Sequence, residues 1–171
     1  MESRAKLLGH PIHPMLIVFP LGLLATAVVF DVIYLITGTV IMASVAYWMI
    51  VAGIIGGLIA APFGLIDWLA IPRRTRAKRV GVMHGLGNVA VLLLFIGSWL
   101  LRRNVPEAPG VLAYILSFAG AGLALVTGWL GGELVNRLGM GVHDGADLNA
   151  SSSLSERPPS DRDLGVPKHL S

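Results

Sequence analysis

Four long apolar runs, each bounded by polar or turn-forming residues, set the pattern of this chain. They cover about Pro14 to Ile36, Ile41 to Leu69, Val80 to Leu101 and Val111 to Leu134. Each reaches the roughly 20 residues that a helix needs to cross a bilayer. In lipid every backbone polar group needs an internal partner, so the runs predict helices. A strand reading fails, because the runs do not alternate apolar and polar positions and are too long. The linkers are short: Thr37-Gly38-Thr39, Pro72 to Arg79, and Arg102 to Gly110. Short links make sequential helices antiparallel neighbours. The expected fold is an all-α integral membrane protein, with four transmembrane helices in an up-down antiparallel bundle. Its parts are an N-terminal arm (1–13), a transmembrane domain (14–143) and a tail (144–171). The tail, rich in Ser and Pro with no apolar period, is expected to be disordered.

Composition agrees. The 171 residues are 54% hydrophobic and only 13% charged, and the mean hydropathy is +0.73. Soluble domains carry about 25% charged residues. There is no cysteine, which excludes disulfides, thiolate metal sites and Cys nucleophiles. The loop 72–79 holds five basic residues, and Arg4, Lys6 and Arg137 fall on the same side of a four-span topology. Only Arg102 and Arg103 lie opposite. The positive-inside rule then places both termini in the cytoplasm. Trp68 and Trp129 near the inner ends, with Tyr34, Tyr47, Trp48, Trp99 and Tyr114 near the outer ends, make two interfacial belts. The net charge is only +3, so the basic residues read as topology signals and anionic-lipid contacts, not as a nucleic-acid surface. The start resembles a signal peptide, but its apolar run continues past Ala25-Thr26-Ala27 to Ile36, which predicts an uncleaved span.

The few ionisable residues in or beside the spans gather at the inner end. His10 and His13 precede the first helix, Asp67 ends the second, His84 starts the third with Asn88 one turn on, Glu133 ends the fourth, and His143 follows. Charged groups inside spans cost about 2.5–3.5 kcal/mol at mid-membrane on insertion scales, which makes such a cluster a candidate site. The first and second helices carry a His at the inner start and a carboxylate at the inner end, and the third and fourth repeat this. That pattern suits a parallel duplication. Neutral imidazole is a common ligand of metals and haem iron, and a carboxylate can orient a ligating His. Each residue also has a structural reading. His10 and His143 can be surface residues, and Asn88 an interhelical hydrogen-bond partner. Asp67 and Glu133 can be satisfied by indole groups, imidazoles or loop arginines. Asp31, near the outer end, is explained by pairing with Arg102 or Arg103. Pairs of glycines four apart (Gly53/Gly57, Gly81/Gly85, Gly128/Gly132) predict close helix packing. Pro20 and Pro62 predict bends. Ser44, Ser98 and Ser117 lie in the outer or middle part, away from the histidines, which argues against a Ser–His hydrolase.

Four motifs in order, Gly9-His10-Pro11-Ile12-His13-Pro14, Gly64-Leu65-Ile66-Asp67-Trp68, His84-Gly85-Leu86-Gly87-Asn88 and Gly128-Trp129-Leu130-Gly131-Gly132-Glu133-Leu134-Val135, resemble the bacterial membrane family called domain of unknown function 2231. The resemblance spans about residues 9–143. It implies a small multi-pass protein of the bacterial inner membrane, and no established catalytic residues. Some relatives look fused to Rieske-type iron–sulfur domains, which implies electron transfer with a separate redox partner. The residues leave three functions open. One is a redox module holding a b-type haem through His13 and His84, with Asp67, Glu133 and Asn88 around it. The second is divalent-metal binding or transport using His10, His13, His84 and His143. The third is a non-catalytic subunit of a membrane complex.

Overall fold

A computed structural model describes residues 1–154. A two-stranded hairpin, β1 (Lys6–Leu7) and β2 (His10–Pro11), leads into a short helix α1 (Ile12–Leu16). Four long helices follow: α2 (Val18–Thr37), α3 (Val40–Ala70), α4 (Arg76–Arg102) and α5 (Val111–Gly132). A π-helical turn, Glu133–Arg137, closes the last. With α1 joined to α2, and the π turn to α5, all four spans are long and apolar enough to cross a membrane. The expected four-helix membrane architecture is therefore present.

Local chemistry explains the element ends. The hairpin turn Leu8-Gly9 has φ of 51° and 85° at its two positions, the left-handed pair that a two-residue turn requires. This small sheet stands where the sequence predicted only an arm. The first span is interrupted at Ile17, one turn before Pro20, whose missing N–H leaves the Leu16 carbonyl without its helical partner. Gly38, at φ 68°, ends α2 as a left-handed cap. The third span begins at Arg76, a turn earlier than its apolar run, because the Thr75 side chain caps it by accepting from Lys78 N.

The helices form two tight hairpins, α2 with α3 and α4 with α5, which meet mainly through α3 and α4 and also through α2 and α5. The core holds Leu24, Ala27, Ala46, Ile50, Ile54, Val91 and Phe95. Most other long apolar side chains stay exposed on the outside, Leu21, Ile55, Leu86 and Leu125 among them, as a lipid-facing surface requires. Of the paired glycines, Gly53, Gly57 and Gly81 lie against Leu24, Leu92 and Trp68, while Gly85 and Gly128 face open space.

Burial is uneven along the bundle. The largest fully buried side chains, Arg102, Phe95, Ile50, Asp31, Ser98 and Ser117, are all in the half of the bundle away from His13 and His84. There Arg102 grips Asp31 through both guanidinium nitrogens at 2.6 and 2.7 Å. Ser98 accepts from Arg102 Nε at 3.1 Å, and Ser117 donates to Asp31 at 3.2 Å. Arg102 is thus the partner of Asp31, and Arg103 remains exposed. Among the described residues, the histidine end of the bundle holds no such plug of fully buried large side chains.

Candidate functional site

Two of the histidines occupy matching positions, one in each helical hairpin. On α1, His13 Nδ1 lies 3.0 Å from the Ala60 carbonyl of α3. On α4, His84 Nδ1 lies 2.9 Å from the Thr127 carbonyl of α5. A carbonyl only accepts, so in each ring Nδ1 carries the proton and donates it. The neutral imidazole then leaves the Nε2 lone pair available as a ligand. Both rings are half-buried.

A glycine makes each contact feasible. In a helix the carbonyl of residue i points toward residue i+4, whose Cβ would obstruct a second donor arriving from the side. Residue i+4 is Gly64 for Ala60 and Gly131 for Thr127. A Cβ built at Gly64 would stand 2.8 Å from His13 Cε1, and one at Gly131 would stand 3.1 Å from His84 Cε1. Gly64→Ala is therefore expected to displace the His13 ring, while Gly131→Ala perturbs His84 less. Imidazole NMR shifts of the two variants check the order. Equal, negligible shifts would refute the packing account.

The carboxylates repeat the unit but do not touch the histidines. Asp67 accepts from Ser3 Oγ at 2.7 and 2.8 Å and from Arg4 N at 2.8 Å, which straps the N-terminal segment over the end of α3. Glu133 accepts from Arg76 at 2.5 Å. Each carboxylate thus holds the chain eight to ten residues before the histidine of its own hairpin. The sequence pattern grouped Asp67 and Glu133 with the imidazoles as orienting partners. The structure gives that role to two backbone carbonyls, because each carboxylate sits at the last turn of its helix, level with the incoming chain.

Asn88 sits beside His84 as its spacing predicts. Its Nδ2 donates to the His84 carbonyl at 2.9 Å, and its Oδ1 accepts from Thr127 Oγ1 at 3.1 Å. The same Nδ2 is 3.4 and 3.2 Å from the two ring nitrogens. Nearly equal distances place the amide over the ring face, not in the plane where the Nε2 lone pair points. Thr127 escaped the sequence reading, and so did Ala60. A Thr or Ala four residues before a motif glycine was the available signal.

The remaining candidates lie elsewhere. His10 faces Ser153 at 3.1 Å, and exposed His143 faces Glu2 at 3.3 Å. Among the described residues no three His, Asp or Glu side chains come together to hold a metal ion, so His10, His13, His84 and His143 do not form one ligand set. Glu2 lies outside the spans, and its carboxyl is held below the usual range by the Lys6 side chain, then by Asp144 N–H, with Lys6 and His143 charges adding. That contact is present above the ordinary carboxylate range and is lost on acidification. An open apolar groove of about 470 Å³ on the α2/α3 face, lined by Leu23, Ile41, Trp48 and Ala52 among others, includes no histidine.

Four apolar spans in paired hairpins define a multi-pass helical membrane protein. The chain belongs to the DUF2231 family, described as a predicted membrane protein, whose profile matches residues 9–144. No curated protein and no solved structure matches it.

Proposed function

We propose that this chain is a membrane redox module that binds a b-type haem through His13 and His84. The repeated unit carries the reading: in each hairpin an imidazole donates Nδ1–H to a carbonyl of the facing helix, over a glycine, and keeps its Nε2 lone pair free. Backbone-oriented neutral histidine is the state that a haem-iron ligand would require. Two such imidazoles, with no group of three His, Asp or Glu among the described residues, suit haem better than a divalent ion, whose protein sites draw on three or four ligands. Haem bound there would supply one-electron transfer. The chain's own groups fix the tautomer and angle of each ring, and Asn88 steadies the His84 face. The Asp67 strap closes the adjoining end of α3. The basic loop supports placing this end at the cytoplasmic face of a bacterial inner membrane, where a separate redox partner has access.

A second reading is a non-catalytic subunit of a membrane complex. Its support is that Asp67, Glu133 and Asn88 already have partners inside the chain. Oxidised and dithionite-reduced absorption spectra of protein purified in mild detergent separate the two, with metal analysis on the same sample. A Soret band with sharp reduced α and β bands is expected. A folded sample with neither haem nor metal would sink the redox reading, and a stoichiometric protein partner would then favour the second. Bound metal without a haem spectrum would revive divalent-metal binding.

A further inference from the structure

The loop between α3 and α4 is braced more firmly than a charged linker needs. Thr75 Oγ1 donates to the Pro72 carbonyl at 2.9 Å and accepts from Lys78 N at 3.1 Å, which locks the turn onto the start of α4. Lys78 folds back to the Trp68 carbonyl at 2.7 Å and lies 3.8 Å over the Trp68 ring. Trp68 Nε1 returns a bond to the Lys78 carbonyl at 3.3 Å. Arg76 is engaged with Glu133. Two of the five cations are thus committed to the fold.

The other three, Arg73, Arg74 and Arg79, are exposed and have no ion-pair partner among the described residues. Arg74 is held at φ 64°, and it and Leu8 are the non-glycine residues at positive φ among the described residues. Glycine adopts that conformation without strain and arginine does not. A long side chain kept on a backbone conformation that glycine would serve better points to a use for the side chain itself.

We infer that Arg73, Arg74 and Arg79 form a platform for the phosphate groups of anionic phospholipids in the adjoining leaflet. The loop follows the end of α3 at Ala70 and precedes α4 at Arg76, which sets it at headgroup level. A guanidinium pairs with phosphate through two parallel N–H donors, and the braced loop has little freedom left to lose on binding. Each basic residue near an anionic surface contributes roughly fivefold in affinity. This inference is independent of the haem reading.

The test is native mass spectrometry of the delipidated full chain in detergent, titrated with dioleoylphosphatidylglycerol or dioleoylphosphatidylcholine. Melting curves without lipid are recorded alongside. Phosphatidylglycerol is expected to bind in preference. Arg73→Gln and Arg74→Gly should each weaken it by roughly fivefold, while Arg103→Gln, at the opposite end of the bundle, leaves it unchanged. Arg74→Gly should also raise the Tm, because it releases the positive-φ strain. Equal retention of both lipids, or full phosphatidylglycerol affinity in Arg74→Gly, overturns the proposal. An acidic protein that copurifies with the wild type and is lost in these variants, with lipid binding unaltered, would assign the arginines to a protein partner instead.

Discussion

Asp31→Ala is expected to destabilise the bundle by about 3–5 kcal/mol, the typical cost of stranding one member of a buried ion pair. Asp31 and Arg102 are both fully buried in the half of the bundle away from the histidines, and the pair is bidentate. Without the carboxylate, Arg102 would keep only Ser98, Ser117 and the Ala113 carbonyl, all neutral. Arg102→Met alone should cost a similar amount, since Asp31 would then stand uncompensated beside Ser117. The double variant Asp31→Leu/Arg102→Met should recover most of the loss, because no buried charge remains. Reversible unfolding in mixed micelles, run as a double-mutant cycle, measures this. Additive losses in the double variant would show that the pair does not act as a unit. Arg103→Met, on the neighbouring exposed residue, should change stability little.

The second large effect concerns the imidazoles. His13→Ala and His84→Ala should each abolish the sharp reduced α band, because a low-spin b-type spectrum would need both imidazoles. His10→Ala and His143→Ala lie outside the repeated unit and should leave the spectrum intact. Thr127→Val is the discriminating variant. It keeps the backbone carbonyl that orients His84 but removes the hydroxyl that holds Asn88. Haem should therefore be retained in Thr127→Val with an altered band shape or potential. A spectrum that survives both His13→Ala and His84→Ala would remove the pair from the proposal.

The structure brings some of the residues singled out by sequence into the repeated unit and leaves others outside it. The two histidines stood out because ionisable groups within or beside an apolar run are costly. Their internal order also showed that the hairpins repeat one plan. Their partners did not stand out, because Ala60 and Thr127 act through backbone carbonyls, which every residue possesses. Gly64 and Gly131 sit in the quoted motifs, yet a rule that pairs glycines four apart selects Gly85 and Gly128, which face open space. Asp67 and Glu133 are in the expected places at the ends of their helices, but the direction of a carboxylate depends on which strand or helix arrives beside it.

The sequence by itself determined the class of protein, the number of spans and which few residues carry ionisable groups into or beside them. It could do so because length, hydropathy and the cost of burying charge in lipid are properties of the chain read one segment at a time. Choosing Arg102 over Arg103, strapping Ser3 to Asp67, turning Lys78 onto Trp68 and seating each imidazole over a glycine of its facing helix were decided only in three dimensions. Those contacts depend on helix rotation and crossing. In a membrane these are set by the packing of small and polar side chains, because lipid tails and apolar residues are almost equivalent neighbours and supply little hydrophobic preference of their own.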